Sequence, residues 1–589
     1  MTGPETPQEQ PEQADQPEYR DRPEQPDAAG RAAQPGQLSP VFALASSYVE
    51  RLAAMDPCAA TELGVAGFDD RLTDFSAAAQ DDRALLARTT LTELAGLPVT
   101  GAHDRVAAAV MTERLTSLLA LHDAGDGLRD LNVLASPLHS IRMVFDLMPG
   151  ADAAGRADVR ARLLAVPEAV ASWQSALLDG VAAGTPAARR QALAVADQAE
   201  AFAAGWFTSY VRRLPAADSD ELTTAAAVAE EAFGGAATWL REQYAPRADP
   251  EDPVGAQRYA RQARAWNGCD VDLEATYAWG WQELDRIAEL MRAAGAKVLP
   301  TGTLQDVKSL LDNDSRFQIA GTEALLEFLR GLTDDAIGAV DGAVFDIDPR
   351  IRECQVRLAA EGSAAAPYYV PPSEDLTRPG STWYPTRGAE VFPRWWLVSV
   401  WYHESVPGHH LQVGTATLER DRLSRFQRTF GWTSGYGEGW ALYAERLMDE
   451  LGFFADPAVE LGYLSAQAMR AARIVLDIGM HLRLPVPAGR GAMSGRTVDA
   501  DFGVALLREA AWLAPDFAAS EVDRYLGLPG QAISYKVGEQ VWLRSRAAAQ
   551  ARLGERFSLK DWHMHALRLG PMGLDPFERE MASYPPQWE

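Results

Sequence analysis

Cysteine is nearly absent from this chain. Cys58, Cys269 and Cys354 are the only three in 589 residues. They are far apart, odd in number and form no Cys-x-x-Cys pair, which argues against a disulfide framework or a thiolate metal site. Long apolar runs are missing too. No stretch of about 18 apolar residues occurs, so no membrane-spanning helix is expected. The N-terminus lacks the basic start and apolar core of a secretory signal, and a cytoplasmic protein is the expectation. Positive charge is in deficit, with 55 Lys and Arg against 82 Asp and Glu, a net charge of −27. Such a chain repels phosphate backbones and anionic lipid surfaces, which argues against nucleic acid and membrane partners. A small molecule or a peptide remains the expected partner.

What is present is mostly helical texture. Residues 1–38 are rich in Pro, Gln and Glu and too poor in large apolar residues to offset their ordering entropy, so a disordered tail is expected there. From 39 to 345, Ala, Leu, Arg and Glu dominate, with apolar residues three and four apart, as in DRVAAAVMTERLTSLLALHD. That spacing predicts a helical N-terminal lobe. Between 350 and 390 the segments become short, aromatic and broken by Pro and Gly, which predicts a small antiparallel sheet or ribbon. Helices are expected again at 391–414, 436–451, 457–483, 501–511 and 530–551. Residues 346–589 would form the catalytic part of a mainly α fold.

The chemistry concentrates in WYHESVPGHHLQ, residues 401–412, which holds three of the nine histidines. His403-Glu404 resembles the start of a His-Glu-x-x-His zinc helix, but Pro407 stands where the second histidine belongs. On a straight helix His409 lies roughly 120° off the His403 face, and His410 lies about 10 Å along the axis. Neither could share an ion with His403 unless Pro407-Gly408 distorts the turn. A widened turn could return either one. Glu438, in SGYGEGWALYAERL, opens a later helix among Gly435, Gly437 and Gly439, which would allow close approach to another helix. Two histidines and a glutamate are a zinc ligand set, and Glu404 stands where a general base would activate water. The plainer alternative is a helix cap or a buried polar network.

HESVPGHHLQ, GYGEGWALYAERL, ARIVLDIGMH and PGQAISYKVG, in that order, resemble the bacterial family labelled domain of unknown function 885. That family is similar to gluzincin-type zinc metallopeptidases. The resemblance spans roughly 40 to 585. It implies a large multi-helix body with a deep cleft, a small β-ribbon insert beside the metal helix, a bound zinc, and hydrolysis of peptide or amide bonds. Matching Gly408-His409 to the Gly-His of the peptidase pattern implies His403, His409 and Glu438 as ligands, with His410 in an outer or substrate-facing place. Other divalent transition metals suit the same donors.

Further candidates surround this centre. Arg473, Asp477 and His481 form a polar stripe on an apolar helix. They would either pack as a buried pair or line a cleft and bind a substrate carbonyl or carboxylate. Gln531 and Tyr535 share a face, and the resemblance implies Tyr535 as donor to a developing oxyanion. Lys536 lies about 100° away, as a salt-bridged lysine or a substrate contact. Tyr369 belongs to a strand that the resemblance places beside the metal helix, where it could pair with an extended substrate. His563 and His565 have no ligand spacing. A zinc hydrolase with Glu404 as base is the expectation. A metal-dependent lyase or dehydratase acting on a small amino-acid-derived metabolite, and a non-catalytic helical scaffold, are the alternatives.

Overall fold

A computed structural model describes residues 38–148, 150, 152–215, 220–359, 366–373 and 376–585. The tail expected at 1–38 lies outside these residues, Leu38 excepted. The fold is mainly α, with five short strands among the described residues. No helix there is long and apolar enough to cross a membrane.

The helix Pro457–Leu482 is the central strut. Asp456 caps its start by accepting from Ala458 N, Pro457 occupies the first turn, and Arg483 ends it in the left-handed region at φ 53°. Almost every side chain from Ala458 to His481 is buried, so this helix is surrounded on all sides. It packs against Leu273–Val298 and Arg394–Glu404. Gly462 permits the second contact, because a Cβ there would sit 1.9 Å from the Trp395 carbonyl oxygen. One continuous core joins Val41 through Leu115, Tyr259 through Ile351, and most apolar residues from Trp395 to Tyr584. A second core, formed mostly by residues 131–248, fills the helices between them.

The strands form two small sheets. β1 (Gln318–Ala320) pairs antiparallel with β5 (Val391–Pro393). β2 (Cys354–Leu358), β3 (Tyr368–Val370) and β4 (Gly380–Tyr384) form a sheet in the order β2-β4-β3. β2 runs parallel to β4, and β3 antiparallel. The expected insert is therefore mixed rather than purely antiparallel. β1, which docks the entry to the first histidine helix, lies outside the 350–390 segment. Its three residues are too few for any alternation to stand out.

Candidate metal and catalytic site

The helix expected over 391–414 is broken in two. Arg394–Glu404 carries His403 and Glu404, and His409–Leu418 begins on the second histidine. Ser405 to Gly408 make the break, where Pro407 cannot supply an amide hydrogen. Gly408 N donates to Tyr402 O at 3.0 Å, and His410 N to Ser405 O at 3.2 Å, so the ladder skips residues here. Gly408 is sterically required: a Cβ would fall 1.9 Å from His403 O and 2.4 Å from Tyr402 O. Trp440 pins the turn from the next helix, its Nε1 donating to Pro407 O at 2.9 Å and Gly408 O at 3.1 Å.

This geometry brings His409 back beside His403, with ring centroids 4.9 Å apart and nearly perpendicular. Ligand atoms of His403, Glu404 and His409 lie within 4.8 Å of one another. Glu438 comes from the helix Ser434–Glu450, whose start Thr433 caps by accepting from Tyr436 N. Its Oε2 lies 3.2 Å from His403 Nε2 and 3.6 Å from His409 Nε2. The expected close helix approach is present. Gly439 packs on Gly538 of the helix Ser534–Leu553, where an added Cβ would meet backbone at 2.5 Å.

His410 turns away from this cluster. Its Nε2 is 2.8 Å from Ile351 O and its Nδ1 3.0 Å from the Tyr369 hydroxyl. Both ring nitrogens are occupied, so of the two candidates His409 is the one that faces His403. Tyr369 reaches this region from β3, an edge strand of its sheet.

The charges around the site are paired in depth. His403 Nδ1 lies 2.8 Å from Glu445 Oε1. Arg470 Nη2 bonds the same oxygen at 2.9 Å, and Ser399 donates to Oε2. Burial would raise Glu445, but the Arg470 charge, with His403 and Ser399, holds it below the usual carboxylate range. Burial likewise opposes ionisation of Glu438, and its contacts to His403 and His409 overcome that and hold it well below 4.5. Glu404 differs. Burial, reinforced by Glu438, outweighs His409 and raises it to about 8. Both Glu404 and Glu438 keep some exposure, whereas the two histidines are buried.

The remaining sequence candidates divide. Tyr535 stacks on His403 with centroids 6.1 Å apart, and Gln531 Nε2 donates to Ser434 Oγ at 3.0 Å. Arg473 lays its guanidinium over the Tyr535 ring at 4.4 Å and bonds Glu521 at 2.7 Å. Asp477, His481 and Lys536, open between a packed or salt-bridged role and a substrate contact, are all enclosed, which fits the first. Asp477 Oδ2 accepts from the Tyr259 hydroxyl and Gly530 N, both at 3.0 Å. His481 Nε2 meets Tyr525 O at 3.0 Å. Burial pushes His481 down to about 4 and Asp477 up to about 8, so uncharged forms of both fill this packed wall. Lys536 is fully buried with Glu283, Glu539 and Gln467. Their polar groups serve helix packing.

Sequence reasoning missed Glu445, Arg470, Arg524 and Trp432. Glu445 lies seven residues after Glu438, on the same helix face, and Arg470 extends the 473–477–481 stripe one turn earlier. Those periodicities were available signals. Trp432 is partly exposed, 6.0 Å from His409, with its ring over Gly437, and no pattern marks it.

The family model described as a bacterial protein of unknown function, domain of unknown function 885, matches residues 57–581. This chain belongs to that family. Two solved structures share the fold of this family member. One is a candidate lipoprotein from Colwellia psychrerythraea, with a TM-score of 0.80 and 21% identity over 93% of this chain and 99% of that one. The other is a candidate lipoprotein of unknown function from Shewanella oneidensis, with a TM-score of 0.69 and 18% identity over 92% and 99%. At these identities the likeness establishes the fold alone. No curated protein matches the chain.

Proposed function

We propose that this protein is a zinc-dependent hydrolase of peptide or amide bonds in small peptides or peptide-like molecules, similar in its site to the gluzincin-type peptidases. One observation supports this above the others: the Nε2 atoms of His403 and His409 both face a single oxygen of Glu438. Glu445 beside His403 Nδ1 favours the ring proton on that nitrogen. The Nε2 lone pair then points at a carboxylate oxygen 3.2 Å away, an arrangement that is repulsive unless a proton or cation lies between. Two imidazoles and a carboxylate match the donors of a zinc site with one open position. Glu445 fits the outer carboxylate that orients a ligating histidine.

A bound zinc ion would supply a Lewis acid that polarises a carbonyl and makes water nucleophilic near neutral pH. The chain's own groups carry the rest. Glu404 takes the proton of the attacking water and passes it to the leaving amine. Burial raises its carboxyl, and a cation held by His403, His409 and Glu438 would oppose that shift and favour the ionised form a base needs. His403 stays fixed by Glu445, which Arg470 holds in turn.

The test is metal content of protein purified without chelator, beside product mass after incubation with peptides in oxygen-18 water. About one zinc per chain, lost in His403→Ala, with label in the product, is the expected result. Metal-free wild type, or products that never carry label, would remove the hydrolase reading. The second of these would favour a lyase.

A further inference from the structure

Arg524 lies in the last turn of the helix Pro515–Gly527. Its Nη2 donates to Gln531 Oε1 at 2.8 Å and to the Tyr535 hydroxyl oxygen at 3.2 Å, and its Nη1 to Glu521 Oε1 at 3.2 Å. Its Nε is buried and has no partner among the described residues. Arg473 uses the same Glu521, bonding Oε2 at 2.7 Å. Tyr525 contributes only a neutral hydroxyl, which donates to Glu521 Oε2 at 2.7 Å. Two guanidinium groups therefore share one carboxylate, and one positive charge is left over in a largely buried place. The other acids nearby have their own partners: Asp523 pairs with Arg190, Glu445 with Arg470, and Asp477, within electrostatic reach of Arg524, accepts from the Tyr259 hydroxyl and Gly530 N. An uncompensated buried charge is costly unless an anion joins it.

The surplus lies next to the candidate site. Gln531 bonds Ser434, one turn before Glu438 on the same helix, about 5–6 Å along the axis. The Tyr535 ring stacks on His403, and its hydroxyl oxygen meets Arg524. That hydroxyl accepts from Arg524 and has no acceptor of its own among the described residues, so its proton is available to an incoming oxygen. The Arg524 side chain keeps 17% of its surface exposed, against 5% for Arg473. Arg524 is thus the accessible cation, and Arg473 a support beneath the Tyr535 ring.

We propose that Arg524 and Tyr535, with Arg524 positioned by Gln531, form a carboxylate subsite. The substrates would be short peptides or acyl amino acids with a free carboxylate one or two residues beyond the cleaved bond. This rests on the hydrolase reading of the site. A guanidinium recognises a carboxylate through charge-assisted, often paired hydrogen bonds. An extended chain advances about 3.5 Å per residue, which spans one helical turn in one to two residues.

Calorimetric titration of full-length Glu404→Gln protein, purified without chelator so that the probe is bound and not consumed, tests the subsite. The probes are acetyl-Ala-Ala, its C-terminal amide, and acetyl-Ala-Glu-amide. The free acid should bind at least tenfold tighter than the amide. A second Arg524→Gln change should erase that preference, and Arg524→Lys should keep part of it. Tyr535→Phe, which retains the ring, should lower it about threefold or more, and melting temperatures report folding of each variant. The glutamyl amide separates a terminal from a side-chain carboxylate. Equal binding of acid and amide, binding of none of the probes, or a preference that survives both Arg524→Gln and Tyr535→Phe overturns the subsite. An Arg524-dependent preference in a protein that hydrolyses nothing would retain the subsite and remove the hydrolase reading.

Discussion

At the scale of single residues, Glu438 Oε2 is the atom on which the site turns, because two imidazole nitrogens from separate helices approach it. Glu404 stands just outside that contact, and burial keeps its carboxyl near 8 while Glu438 is held ionised. In the proposed site Glu438 is thereby kept as an ionised donor, and Glu404 is left as the group that moves the proton. Glu404→Gln should keep bound zinc and lower turnover by about 10²–10⁴-fold, the usual contribution of a general base. Paired metal and activity measurements check it, and full activity would remove Glu404 from that role. Glu445→Gln acts differently. It weakens the support of His403 and should lower zinc affinity about 10–100-fold, measured by chelator competition. It also leaves Arg470 uncompensated, so a melting temperature clearly below wild type is expected. His403, Glu404 and Glu438 could be read as one cluster from residue types and spacing. Arg524 could not, because a lone arginine at a helix end has no distinguishing pattern until Tyr535 is seen against it.

At the scale of elements, the break at Ser405–Gly408 decides which histidine faces the centre. The proline and glycine in the sequence announce a distortion, but not its direction. That direction comes from long-range contacts: Trp440 bonds the Pro407 and Gly408 carbonyls, and His410 is held by Ile351 and Tyr369. For the same reason helix periodicity located most of the helices near the site, while the two-sheet arrangement and the helix Pro515–Gly527 escaped it. Short strands and a modest helix between loops depend on partners far along the chain. Gly408→Ala places a Cβ against His403 O, so the turn must open. We expect weakened zinc binding and a loss of about 1–3 kcal/mol in denaturant unfolding. Trp440→Phe should cost about 1–3 kcal/mol, because the Pro407 carbonyl loses this donor while Gly408 O keeps only the Gln412 amide. A Gly408→Ala protein with unchanged zinc affinity and midpoint would show that the turn does not set the ligand geometry.

At the scale of the molecule, stability comes from a core that ties distant segments together, and buried titratable groups make that core sensitive to pH. His563, in the helix Leu559–Arg568, sits between two segments remote in sequence. Its Nε2 accepts from the Tyr443 hydroxyl at 2.7 Å, and its Nδ1 donates to Val344 O at 3.0 Å. This pattern needs a neutral ring, and burial lowers the imidazole to about 3. The unfolded chain takes up a proton near 6.5 that the folded chain refuses until about 3. The contribution of His563 is therefore complete above 6.5 and is lost as pH falls toward 3. Asp477 and Asp130 act with the opposite sign. Burial raises them to about 8 and 7, so their stabilisation is complete near 3.8 and is lost as pH rises through those values. The slopes oppose each other between about 4 and 6.5, and a melting curve of wild type alone blends them. Comparison with His563→Gln isolates one group, because the acids are common to both proteins. Glutamine can still offer an acceptor to Tyr443 and a donor to Val344. Between pH 7 and pH 5, wild type should lose about 2 kcal/mol relative to the variant, read from urea unfolding at each pH. A constant difference across that range would mean that His563 titrates normally, and that this junction between the C-terminal helices and the main core admits water.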